Sequence, residues 1–215
     1  MSDYEIMHFT VGPVMTNCYL LGDEETRQAA YIDPGDSGDY LALRAEQENW
    51  QVCAILLTHG HFDHIEGVAT LLDALAKAGK PEVPVYLHRA DFPFAPSSFD
   101  RGVTLSEVPN IRFYDEGDTV QVGGLTVEVL ATPGHTRGGV TLKVRDALFT
   151  GDTLFAGSMG RTDFASSDEN AMFASLRKLS ALEGDFRVFP GHEGESTLNR
   201  ERRVNPYIRY AQQGL

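Results

Sequence analysis

Apolar and polar positions along this chain follow two periods, and the switches between them lay out its elements. "MTNCYLLGD" and "QAAYIDPGD" are apolar runs separated by the charged "EETR", which predicts a β-hairpin. "GDYLALRAEQENW" changes to helical spacing, with Leu41, Ala45 and Trp50 on the inner face. "VCAILLT", residues 52–58, is apolar throughout and predicts a strand buried on both faces. After it Ile65, Val68, Leu71, Leu72 and Leu75 recur as one helix, until Gly79 and Pro81 stop the pattern. "VPVYLHR", "NIRFYDEGDTVQVGGLTVEVLAT", "GVTLKVRDALFTGD" and "FRVFPGH" predict further strands. "SDENAMFASLRKLSAL" predicts a helix capped by Ser167 or Asp168, with Met172, Phe173, Leu176 and Leu179 facing inward. "STLNRERRVNPYIRYA" predicts a short terminal helix broken at Pro206.

A length of 215 residues suits a single domain, 1–215, with a substantial core. No run approaches the roughly 18 apolar residues of a membrane helix, and Met1 to Phe9 lacks the apolar centre of a signal peptide. No membrane association is therefore expected. Cys18 and Cys53 each lie within apolar runs and read as buried, reduced thiols, which fits the cytoplasm. The formal charge of −13 repels phosphate backbones, so no nucleic-acid partner is expected.

The chemistry gathers where strands end. "THGHFDHIEG", residues 58–67, places His59, His61, Asp63 and His64 between a buried strand and a helix. "TVEVLATPGH" ends at His135, "ALFTGD" at Asp152 and "FRVFPGH" at His192, each preceded by a glycine that lets the backbone turn tightly. A single Gly-His at a strand end is usually a turn residue. Four strand ends offering seven donors outweigh that reading, and five of the chain's seven histidines belong to the set. His8 and His88 are left as structural or surface residues. Imidazole nitrogen and carboxylate oxygen suit zinc, iron or manganese, and the absence of cysteine donors argues against a closed structural zinc site. Seven donors exceed one tetrahedral site and suit two divalent ions sharing Asp152.

"THGHFDH", "TPGHTRGG", "TGDTLF" and "FPGHEG", in this order, resemble the metallo-β-lactamase superfamily. The resemblance implies an α+β fold, an αβ/βα sandwich of two mixed sheets with outer helices and the metals at one edge. It implies His59, His61 and His135 as ligands of one ion, Asp63, His64 and His192 of the other, and Asp152 as the bridge. Within the superfamily "GDTLFAGSMGR" is most similar to the glyoxalase II-type thioesterases, which implies substrate contact by Arg161. Two departures count against a glutathione grip of that family's kind. Residues 193–215 are all that follow His192, where full glyoxalase II continues into a helical domain, and Gly194 stands where that family carries a tyrosine. "RERR", residues 200–203, reads as a solvated helix face or a carboxylate binder.

The implied activity is hydrolysis of a small acyl substrate, a thioester, by a hydroxide bridging two ions, most simply zinc. Asp63 would orient that hydroxide and could accept its proton, and the helix starting near His64 would point its positive end at the site. A lactone or other ester hydrolase could use the same centre. "GRTDF", residues 160–164, also resembles the persulfide dioxygenases, which would hold a single iron on His59, His135 and Asp152.

Overall fold

In the computed structural model, which describes residues 3–93 and 102–213, the chain builds two six-stranded mixed sheets that share an apolar interior. The first sheet holds β1 (Tyr4–Val11), β2 (Thr16–Asp23), β3 (Gln28–Ile32), β4 (Gln51–Leu56), β5 (Val85–His88) and β6 (Ile111–Tyr114), in that spatial order. The second starts with β7 (Thr119–Val122), β8 (Leu125–Ala131), β9 (Val140–Val144) and β10 (Ala147–Gly151). A small ribbon of β11 (Leu154–Phe155) and β12 (Ser158–Met159) follows. Then β13 (Arg187–Pro190) and β14 (Ser196–Thr197) complete the second sheet in the order β14-β13-β10-β9-β8-β7.

Strand alternation divides the apolar residues between layers. On β2, Tyr19 and Leu21 face the second sheet, where Val127, Val129, Leu142 and Phe149 meet them, while Cys18 and Leu20 face the outer helices. Helices α1 (Gly38–Gln47), α2 (Phe62–Ile65) and α3 (Val68–Lys77) lie on the first sheet's outer side, packing Leu41, Ile65, Val68 and Leu71 into that layer. On the far side α4 (Glu169–Ser180), α5 (Leu198–Val204) and α6 (Pro206–Gln212) bury Met172, Leu176, Leu198 and Ile208 against Leu148 and Val188. This is the expected αβ/βα sandwich. Strands β3 to β6 run parallel, and parallel neighbours need a long crossover, which α1 and α3 supply for β4 and β5.

Local readings are changed or sharpened. The single helix expected from Ile65 onward is two, α2 and α3, broken at Glu66 and Gly67. Gly67 donates its N–H to the Pro34 carbonyl at 3.0 Å, and a Cβ there would lie 2.6 Å from that oxygen. The continuous helix is therefore interrupted so that the segment can lie against the turn after β3. As a result, the helix beside His64 is only one turn long. It brings few aligned peptide dipoles, so the expected dipole at the site is minor. The long run 110–132 does not stay in one sheet: β6 closes the first, and β7 opens the second after the turn at 115–118. The cap of α4 is Asp168, whose Oδ1 accepts from the Ala171 N–H at 3.0 Å. Pro206 begins α6 at its first turn, where its missing N–H costs nothing.

Phe149 is fully buried between the sheets, stacked on Phe189 with ring centroids 5.2 Å apart. Phe149→Ala should cost about 3–5 kcal/mol in chemical denaturation. A loss under about 1 kcal/mol, the scale of an ordinary point substitution, would mean that the interior between the sheets is not what holds them together.

Candidate metal centre

Four strand ends from the two sheets meet at one edge. β4 leads through Thr58 to His59 and His61, and α2 then presents Asp63 and His64. From the second sheet β8 delivers His135, β10 delivers Asp152 and β13 delivers His192. Backbone bonds tie the sheets together here: Val140 N–H to Thr58 O at 2.9 Å, and Asn17 N–H to Gly191 O at 2.7 Å. The Tyr19 hydroxyl and the Asn17 amide both donate to Pro190 O, at 2.8 and 3.0 Å. Two glycines permit the approach. Gly151, at φ +46°, faces Thr58 so closely that a Cβ would lie 2.3 Å from Thr58 Oγ1. At Gly191 a Cβ would lie 2.3 Å from Asp152 Oδ1.

The structure brings all seven expected donors together, six of them in two trios. One nitrogen from each of His59, His61 and His135 lies within 4.8 Å of the others, and so do the ligand atoms of Asp63, His64 and His192. Asp152 stands between the trios, with Oδ2 3.3 Å from His135 Nε2 and 3.6 Å from His192 Nε2, and Oδ1 3.5 Å from His64 Nε2. His61 Nδ1 lies 2.8 Å from His135 Nε2. The residues fit metal ions. His59 Nε2, His61 Nε2, His64 Nε2 and Asp152 Oδ1 are buried with no hydrogen-bond partner among the described residues. Buried polar atoms without partners are costly unless something coordinates them.

The surrounding residues decide which nitrogen is offered. Asp33 accepts from Thr58 N–H (2.7 Å), Thr58 Oγ1 (2.6 Å) and His64 Nδ1 (2.9 Å). Because Thr58 Oγ1 spends its one proton on Asp33, it can only accept from His59 Nδ1, 3.1 Å away. His59 and His64 thus turn Nε2 to the centre. The Arg161 carbonyl, 2.8 Å from His135 Nδ1, does the same for His135. Asp33 also lies near His59 and His64 as a possible third trio, but its oxygens are already committed to these donors. It is a positioning residue. The sequence reading missed it, although "YIDPGD" carries the same strand-end signal, with the Asp ahead of the Gly.

Asp91, also missed, has no such signal. It is buried in the turn after β5, where it accepts from Gly60 N–H (3.1 Å), Thr136 Oγ1 (2.6 Å) and Gly138 N–H (2.8 Å). It thereby ties the loop of His59 and His61 to that of His135. Thr16 Oγ1 holds Asp63 Oδ2 at 2.9 Å.

Electrostatics follow from crowding. Burial and the neighbouring His135 pull His61 down to about 3. Burial, then His64 and His61, take His59 well below its ordinary value. Burial alone would lower His64, but Asp63, Asp33 and Asp152 outweigh it and push its pKa up to about 10. Burial would raise Asp63, yet His64 and His192 hold it below the usual carboxylate range.

Outside the centre, His8 bonds Asn17 at 2.8 Å and stacks on Tyr19, and His88 accepts from Ala90 N–H, so both are structural. Residues 200–203 are not a free basic cluster. Arg200 pairs with the buried Glu201, and Arg202 donates to the carbonyls of Ser180, Leu182 and Gly184. Arg161 lines the cavity beside the centre, but its guanidinium is held by Asp163.

The sequence profile of the metallo-β-lactamase superfamily matches residues 11–192. The chain belongs to the metallo-β-lactamase superfamily. It is 34% identical to a protein of Haemophilus influenzae named hydroxyacylglutathione hydrolase GloC, over 89% of this chain and 92% of that one. The crystal structure of BLEG-1, a B3 metallo-β-lactamase, matches with a TM-score of 0.83 and 31% identity, over 95% of this chain and 99% of that one. A di-iron-bound form of TTHA1623 matches at 0.79 with 37% identity, over 94% and 99%. No described helix is long and apolar enough to cross a membrane.

Two outcomes check the centre. Asp33→Asn should weaken metal binding about 10–100-fold in chelator competition, by releasing His64 and His59 from their orientation. Unchanged affinity would mean that Asp33 does not orient them. With a pKa raised to about 10, His64 carries a proton at pH 7 in the metal-free protein, and coordination through Nε2 must expel it. Metal binding should therefore release at least one proton per chain at pH 7 and tighten as pH rises toward that value. Calorimetry in two buffers of different ionisation heat reads this, and no release would mean that His64 is already neutral.

Proposed function

We propose that this superfamily member is a metal-dependent hydrolase that cleaves thioesters. The observation that carries the reading is the pair of trios with Asp152 between them, opening on a cavity of about 320 Å³. Two divalent ions, most simply zinc, with iron or manganese possible on these donors, would supply an activated water at neutral pH and a Lewis acid for the developing oxyanion. His59, His61 and His135 would hold one ion, Asp63, His64 and His192 the other, and Asp152 both.

The rest falls to the chain's own side chains. Asp63, held ionised beside His64 and His192, is a poor proton acceptor, so its part is to hold and orient. Phe164, 5.1 Å from the His61 ring, and Phe155, 6.1 Å from the His192 ring, flank the centre and exclude water from the acyl group. Water adds to the carbonyl carbon, the C–S bond breaks, and sulfur leaves with the bonding pair as a thiolate. A thiol pKa of about 8.5 makes that departure possible without a strong general acid. The similarity to GloC supports a thioester over a lactone or other ester on the same centre. The complete second trio favours two ions over the single iron of a dioxygenase. Two free cysteines fit a reducing cytoplasm, and the charge of −13 fits a small-molecule substrate rather than nucleic acid.

Metal content and hydrolysis of an acyl-glutathione and an acyl-N-acetylcysteamine should be measured on one purified sample, beside Asp152→Ala. Two ions per chain with turnover, both lost in the variant, are expected. Two ions with no thioester cleaved would turn the reading to lactones. One iron, with oxygen consumed on a persulfide, would replace it by the dioxygenase.

A further inference from the structure

The cavity beside the centre has an unusual charge balance. Apart from the donors His61, Asp63, His135, Asp152 and His192, its described lining is Val14, Phe62, Phe155, Arg161 and Phe164. Arg161 is the one Lys or Arg among these, and it is already used. Its Nε donates to Asp163 Oδ1 at 2.9 Å and its terminal nitrogen to Oδ2 at 2.7 Å, a two-point pair. The guanidinium plane also lies over Phe164, 4.8 Å from the ring centroid. Arg137, two residues after His135, is exposed but does not line the cavity. Glu193 and Glu195, in the loop after His192, are exposed and likewise do not line the cavity. An anionic thiol group would meet a cation already neutralised by Asp163. An apolar group would meet three phenyl rings and a valine.

We propose that the cavity selects uncharged thioesters with an apolar acyl group, and that the Arg161–Asp163 pair is the device that removes the anion preference a free Arg161 would confer. The inference rests on the thioesterase reading for its substrate, while its charge logic can be read by binding alone. Phe164 and Phe155 carry the apolar preference, and Asp163 carries the neutrality. Val14, exposed on the turn between β1 and β2, leaves its part of the lining uncharged.

Matched substrates separate the two parts. On N-acetylcysteamine, the metal-loaded protein should prefer a phenylacetyl to an acetyl group by about tenfold in kcat/KM, the scale of one aromatic contact. With phenylacetyl fixed, N-acetylcysteamine should be preferred to glutathione by about threefold or more, the scale of an exposed charge pair. Asp163→Asn, which unmasks Arg161, and Val14→Lys, which adds a cation at the mouth, should each move that second ratio toward glutathione. Circular dichroism establishes that the variants are folded. A wild-type preference for glutathione, or folded variants that both leave the ratio unmoved, would overturn the inference. If no thioester is cleaved, the thioesterase reading fails by itself. The inference is then judged by calorimetry on the zinc-loaded protein, with phenylacetate against acetate and N-acetylcysteamine against glutathione. Tighter binding of the first of each pair supports it, and the reverse order overturns it.

Discussion

One buried carboxylate fixes the chemistry of the centre without touching substrate. Asp33, at the end of β3, takes three hydrogen bonds, from the backbone and hydroxyl of Thr58 and from His64 Nδ1. Through the hydroxyl it also commits His59 Nδ1. An imidazole offers a lone pair on one nitrogen only when its proton sits on the other. The same contacts that join β3 to β4 therefore decide that His59 and His64 face the centre with Nε2. Asp91 does the equivalent for backbone, holding Gly60 and Gly138 so that the loops of His61 and His135 stay in register.

These positioning groups act only because two sheets present their ends at the same place. The shared interior of Tyr19, Leu56, Phe149 and Val129 sets the spacing of the layers. At the rim that spacing must shrink, and Gly151 and Gly191 are where it does, since a methyl group at either would overlap Thr58 or Asp152. Close packing of like groups has its own consequence. Burial and mutual repulsion keep His59 and His61 neutral, while the nearby carboxylates favour a cation at His64. Five imidazoles and two carboxylates in so small a volume satisfy one another poorly, and divalent ions would supply the missing partners.

The cavity outside this centre obeys a different rule. Its rings and valine offer contact area, and Arg161, the one Lys or Arg in its described lining, is cancelled by a neighbour two residues away. If the cavity selects as proposed, substitution at Asp163 or Val14 would shift substrate choice while leaving the donor residues unchanged.

The sequence by itself marked the candidate donors, and its resemblance to the superfamily implied the layers. Seven His and Asp residues at four strand ends were legible because metal ligation demands those residue types, and a strand end in an α/β sheet is where side chains are freed from the core. The apolar run of β2 and the helical spacing of α4 were legible because burial demands apolar side chains and, on a helix with one buried face, imposes a period. Tertiary structure decided the rest, for reasons that periodicity cannot carry. Asp91 looks like any turn residue until Gly60 and Gly138 are seen to converge on it from distant segments. The break between α2 and α3 exists because Gly67 lies against Pro34, a contact across the fold. Along the chain Arg161 reads either as a substrate contact or as half of an internal ion pair. Whether it is free depends on Asp163 turning back onto it, and in the basic run Arg200 and Arg202 are likewise consumed, by Glu201 and by carbonyls from the end of α4 onward. Local composition selects which groups are present. Only the packed chain settles which of them still have an unspent hydrogen bond or charge.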